Sequence, residues 1–141
     1  MSAKSDMTLK QYTVKKLYFE MNESFDFKNP VNIRINPDFK RDIVGIDENQ
    51  YKVNLKVKIC KQAQKEDIPF FAEVCIEGIF HFENWESQDK VFISRNNSTA
   101  ILFPYLRSLL STVTTTGNLP PYFLPIMYVA KLFAEQEYNL K

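Results

Sequence analysis

One stretch concentrates the side chains that do chemistry. Glu73, Cys75, Glu77, His81 and Glu83 all fall on odd positions, with a thiol between two carboxylates and the chain's one histidine six residues on. Such a set invites a metal site or a Cys–His nucleophile pair. Alternation puts all five on one face of an extended strand, but the same geometry keeps them apart. Residues two apart lie roughly 7 Å from each other, and Cys75 to His81 spans about 20 Å. Zinc ligands approach their ion to ~2.0–2.3 Å, so distant members of the row cannot share one. A neighbouring strand would offer Lys52, Lys56 and Lys58, which repel a cation. The row is therefore expected to be a solvated, charge-paired face, with Cys60 and Cys75 as small packing residues. No catalytic residue, metal or cofactor is expected, and the chain does not read as an enzyme.

The same lysines raise nucleic acid as a partner, but the glutamates across from them neutralise the face. The formal net charge of +1 adds no field for a nucleic acid or an anionic membrane. Three glycines leave no GxGxxG or GxxxxGK[ST] loop for phosphate. No apolar run reaches the roughly 18 residues of a membrane span, so no membrane insertion is expected. The first ten residues, MSAKSDMTLK, lack an apolar signal core. Two cysteines give no disulfide framework and fit a reducing compartment. These features predict a cytoplasmic soluble protein with a flexible arm over residues 1–10 and a single domain over 11–141.

The elements that position the charged row are strands. Tyr12 and Val14 alternate, then Leu17, Phe19 and Met21 alternate in the opposite phase, which places a β-bulge at Lys15–Lys16. Val31, Ile33 and Ile35 alternate up to Pro37, and Phe39 to Val44 continue the pattern beyond it. Asp47 to Gln50 form a turn. Tyr51, Val53, Leu55, Val57 and Ile59 then share a face, as do Ala72, Val74, Ile76, Gly78, Phe80 and Phe82. Pairing Lys58 with Glu73 and Asn54 with Glu77 brings Val57 to Val74, Leu55 to Ile76 and Tyr51 to Phe80. A one-residue slip would lose both sets of matches. On the wet face of this hairpin Phe71 and Ile79 are misfits.

Asn84 to Asn97 looks irregular and polar, apart from Trp85, Val91, Phe92 and Ile93. A long helix is expected next, capped by Asn97 or Ser98 and striped by Leu102, Phe103, Leu106, Leu109, Leu110 and Val113. Pro104 is expected at its first turn or at a kink. Ile101, Tyr105, Ser108 and Thr112 form a second flank, so the helix has more than one surface to pack on. Gly117 is the expected left-handed residue at its end, and Pro120 with Pro121 stops it. The loop Leu119 to Pro125 is too apolar for a solvated connection, and with Phe71, Ile79 and Trp85 it suggests a surface for apolar segments. A second helix is expected from Pro125 to about Glu137. The order implies an α+β fold, a four-stranded antiparallel sheet covered by two C-terminal helices.

At Ile101–Phe133, ILFPYLRSLLSTVTTTGNLPPYFLPIMYVAKLF, the chain resembles the SecB family of protein-export chaperones. Ile101, Leu102, Phe103, Pro104, Tyr105 and Arg107 match that family's helix start, and Gly117, Pro120 and Pro125 match the helix end and the loop. Phe71-Ala72-Glu73-Val74 with Gly78-Ile79-Phe80 resembles one of its strands, and Val14–Tyr18 resembles its first strand. Glu77 stands where the family has one Gly of a pair. The resemblance implies a homotetramer, a dimer of dimers with the long helices between sheets, and so a subunit contact at Ile101, Tyr105, Ser108 and Thr112. It implies ATP-independent holding of unfolded client polypeptides, among them preproteins for export, in apolar grooves. Client contacts would come from Phe71, Ile79, Trp85, Leu119, Tyr122, Phe123 and Leu124. Contact with the SecA motor would come from Glu20, Asp26, Phe71 and Glu73. Some SecB-like proteins instead chaperone an antitoxin, so a dedicated partner is the alternative. A different class, an enzyme or small-ligand carrier, would need a closed polar pocket that the sequence does not offer.

Overall fold

The structure is a computed structural model and describes residues 7–28, 35–60, 68–82 and 88–124. Four antiparallel strands, β1 (Met7–Met21), β2 (Asp38–Gly45), β3 (Gln50–Ile59) and β4 (Phe70–Phe82), form one sheet in the order β1-β4-β3-β2. One helix, α1 (Gln88–Thr116), lies across it. The sheet is a β2–β3–β4 meander, and β1 joins at the far edge beside β4. The connection from β1 to β2 therefore crosses from one edge to the other.

The β3–β4 register is the one the side-chain matches demand: Lys58 opposite Glu73, Val57 opposite Val74, Leu55 opposite Ile76, Asn54 opposite Glu77 and Tyr51 opposite Phe80. Its inner face is buried throughout, from Tyr51, Val53, Leu55, Val57 and Ile59 to Val74, Ile76 and Phe80. β1 shifts register between Val14 and Lys16, where the change of phase requires it, and again between Leu9 and Gln11. Leu102, Phe103, Leu106, Leu110 and Val113 close the core from the helix side. Gly78 allows that approach, since a Cβ there would come within 2.9 Å of the Leu102 side chain.

Several expectations need correction. The arm does not extend to residue 10, because Met7–Lys10 already pair in β1 through Met7 with Phe82 and Leu9 with Phe80. β2 begins after Pro37, whose ring removes a ladder donor. Ile35 to Pro37 lie outside any strand, and residues 31–34 fall outside the described set. The helix starts at Gln88, ten residues ahead of the expected caps. Ser98 is thus interior, and its hydroxyl donates back to the Arg95 carbonyl at 2.9 Å. Residues 88–97 carry no apolar stripe, so periodicity could not show the first turns. Among the described side chains Arg41 on β2 ties this half down, donating to Asn96 Oδ1 and Thr99 Oγ1, both at 3.2 Å. Pro104 lies inside the helix, on its exposed side.

The helix end is also not as expected. Asn118, with φ of 66°, takes the left-handed position that Gly117 was expected to hold. Asn118 N donates to Thr115 O and Leu119 N to Thr114 O, each at 3.0 Å, the bond pair of a Schellman end. Gly117 serves a different need, because a Cβ there would collide with the Phe19 ring on β1. The expected second helix, from Pro125 onward, lies outside the described residues.

Candidate functional site

The outer face of the sheet carries the charged row as far as His81; Glu73 and Glu77 in it are paired with lysines, and Glu83 lies outside the described residues. Glu73 is shielded from solvent, and its carboxylate lies against Lys16 of β1 and, at 3.4 Å, Lys56 of β3. Lys58 stands directly opposite Glu73, yet the diagonal Lys56 is the partner. These two ammonium groups, Lys16 first, hold the Glu73 carboxyl below the usual carboxylate range. Glu77 lies 3.9 Å from Lys15 and 4.0 Å from Lys52. Cys75 sits between Lys16 and Lys56 in register, and burial, then the Glu73 charge, pushes its thiol up. A thiol so placed stays protonated at neutral pH and is a poor nucleophile. Among the described residues no group of three His, Cys, Asp or Glu side chains is placed to hold a metal ion.

Phe71 and Ile79 are both half-buried on this outer face, but the structure does not bring them together. They are eight residues apart on β4, about 26 Å at ~3.3 Å per residue. Phe71 lies opposite Glu20, and Tyr18, on the next outward position of β1, faces Glu73. Tyr18 Oη donates to Glu20 Oε2, which raises the Tyr18 phenol above its ordinary value. Glu20, Phe71 and Glu73 therefore form one patch at this end of the sheet. Asp26 does not join it in the ladder. It lies past the end of β1, where its Oδ1 accepts from Lys28 N at 3.0 Å and the flanking Phe25 and Phe27 rings meet edge to face. Asn22 ties that turn down, donating through Nδ2 to Ile68 O at 2.7 Å.

The loop after α1 sits at the same end as Phe71, but on the helix side. Phe19, Phe70 and Tyr122 form an aromatic chain there, with ring centroids 5.8 and 6.0 Å apart. Leu119 and Tyr122 are half-buried against the core, and burial raises the Tyr122 phenol. Leu124 is 1% exposed, so the expectation that it faces a client is corrected: it turns inward and closes the core. Phe123, between two inward residues, is 62% exposed. Trp85 lies outside the described residues.

A third surface was only half visible in the sequence. The second flank of α1 is open, with Ile101 40% and Tyr105 43% exposed and Ser108 and Thr112 also in solvent. Beside it, β1 adds two apolar residues. Val14 and Leu17 pair with Ile76 and Val74, so they point to the helix-bearing side, yet both are exposed. Tyr12 joins strand to helix, its ring 4.6 Å from that of Tyr105. The signal that would have revealed this surface is position: β1 is an edge strand, and α1 packs over β3 and β4.

The protomer thus combines one charge-paired face, an open apolar flank and an outward aromatic on an anchored loop. The chain belongs to the SecB family: the family profile described as preprotein translocase subunit SecB matches residues 2–139. It is 30% identical over 135 residues to an uncharacterized protein of Methanocaldococcus jannaschii, covering 95% of this chain and 86% of that one. It is likewise 30% identical over 131 residues to the protein-export protein SecB of Stenotrophomonas maltophilia, covering 88% and 75%. The fold is shared with a SecB-like chaperone of Mycobacterium tuberculosis solved in complex with an antitoxin peptide. That structure matches with a TM-score of 0.65 at 14% identity over 86% of this chain and 91% of the other. Among the described residues no helix is long and apolar enough to cross a membrane.

Proposed function

We propose that this chain is an ATP-independent holdase that binds unfolded polypeptides, including preproteins for export, in the cytoplasm. The observation that carries the reading is Phe123, a large aromatic held 62% exposed between half-buried Tyr122 and buried Leu124. With half-buried Leu119 and Tyr122 beside it, it forms the rim of an apolar groove, which Phe71 extends towards the outer face. Burial of apolar surface yields about 25 cal/mol per Å² whatever the sequence, so such a rim selects clients by their being unfolded. Ile79 is a separate, distal contact for a long client.

The working form is a dimer of dimers, with Ile101, Tyr105, Ser108 and Thr112 at a subunit contact that Val14 and Leu17 enlarge. An apolar flank of this kind on a folded domain favours cover by another chain. The patch of Glu20, Phe71 and Glu73 is where a SecA-type motor would dock, with Asp26 at its margin. Glu73 is already neutralised there by two lysines, so Phe71 and Glu20 would carry most of that contact.

A dedicated partner is the second reading, favoured by the fold match to a chaperone solved with an antitoxin peptide. Titration with a permanently unfolded, reduced and alkylated protein, and with its native form, tests the first. Binding of the unfolded form alone, weakened by Phe123→Ser, is expected. Binding of neither form, beside tight saturable binding of one antitoxin peptide, would replace the first reading with the second.

A further inference from the structure

Resting on the reading of Phe123 as a client contact, we propose that Thr114 is the residue that sets this rim. It acts as a positioning residue that holds the segment after α1 against the helix end, so that Phe123 faces out. Thr114 lies in the last turn of the helix and is fully buried, although it is polar. Its hydroxyl proton is directed at the Ser111 and Leu110 carbonyls, at 2.9 and 3.2 Å. That leaves an oxygen lone pair, which accepts the backbone N–H of Tyr122, eight residues on, at 3.0 Å. The Thr114 carbonyl accepts Leu119 N–H at 3.0 Å. One residue thus holds both ends of the Leu119–Tyr122 stretch.

The neighbours show that this is not what a helical threonine does by default. Thr112, Thr115 and Thr116 each donate to the carbonyl four residues back, at 2.8 Å. Thr114 makes the same kind of bond and also receives one from outside the helix. The segment has few donors to offer, because Pro120 and Pro121 have no N–H. Of the remaining amides, those of Leu119 and Tyr122 both go to Thr114.

The consequence for Phe123 follows from alternation. Burial alternates over the last three described residues, with Tyr122 half-buried, Phe123 exposed and Leu124 buried. Tyr122 is drawn in against Phe70 and Leu124 is buried, so Phe123 is forced outward between them. An aromatic fixed in this way meets a client without first losing backbone freedom, an ordering cost that otherwise weakens binding. Thr114 contacts no client itself.

Thr114→Val keeps the shape and removes the hydroxyl, and Thr114→Ser restores it. Three quantities are read on the full-length protein: amide exchange at Tyr122, thermal midpoint, and affinity for the reduced, alkylated unfolded protein. In Thr114→Val we expect exchange at Tyr122 to accelerate about tenfold. Amides in the middle of α1 keep their wild-type rates, and client affinity falls several-fold. Thr114→Ser is expected to recover both. Unchanged exchange at Tyr122 in Thr114→Val would overturn the proposal. So would acceleration spread evenly along α1, or a Ser variant that exchanges like Val. Phe123→Ser separates the two levels of inference. If it leaves affinity unchanged, the rim reading fails; if it weakens binding while Thr114→Val does not, the positioning role alone fails.

Discussion

On the outer face of β3 and β4, Glu73 and Glu77 each sit between lysines. On the flank of β1 and α1 the same sheet leaves Val14, Leu17, Ile101 and Tyr105 in solvent. On the first surface the two glutamates find their partners within one protomer, with Phe71 and Ile79 half-buried around them. The second lowers its free energy only when something covers it. The loop at the helix end combines the two conditions. Its backbone is satisfied by Thr114, while Phe123 is left apolar and open.

The comparison can be broken at both ends and at the core beneath them. The largest effect is expected in the core, where Leu102 is fully buried and meets Gly78. Leu102→Ala should cost about 2–5 kcal/mol, read as a lowered denaturation midpoint, because it opens a cavity between helix and sheet. Next comes the open flank. Tyr105→Asp should dissociate the assembly with the far-ultraviolet dichroism of the sheet intact. An unchanged mass by light scattering would show that this flank is not a subunit contact.

The closed face should respond less, and to pH. The Glu73 carboxyl has its folded pKa depressed, so its stabilisation is full above the unfolded carboxylate pKa and is lost as pH falls through the folded value. Lys16 is well exposed and Lys56 about one-third exposed, which limits the effect to about 1 kcal/mol. Glu73→Gln should therefore flatten the acid limb of the stability curve while leaving client binding alone. A steep acid limb that persists in this variant would assign the linkage elsewhere. The smallest change in stability, within about 0.5 kcal/mol, is expected for Phe123→Ser. If that variant unfolds the protein, the loop is core and not rim.

The parts legible in the sequence were those where two signals coincide. The β3–β4 register combined a period of two with charge and size complementarity, and each pair fell as the pattern required. The bulge at Lys15–Lys16 announced itself as a change of phase. Gln88–Asn97 gave no such signal, because its apolar residues, Val91 to Ile93, are consecutive and not spaced at helical steps. Val14 and Leu17 have the pattern of core residues; only strand order puts them at an edge. Leu124 and Phe123 are equally apolar, and what turns one in and the other out is a tertiary hydrogen bond from eight residues away. Gly117 was legible as a special position, but for the wrong reason, since the ring that requires it comes from β1.

The measurement that bears most directly on the account is aggregation of a chemically denatured test protein on dilution, followed by light scattering, with and without this chain and without nucleotide. The account predicts suppression that saturates near one tetramer per client and is lost in Phe123→Ser. Aggregation that proceeds unchanged at a stoichiometric tetramer, with the chain itself folded, would contradict it.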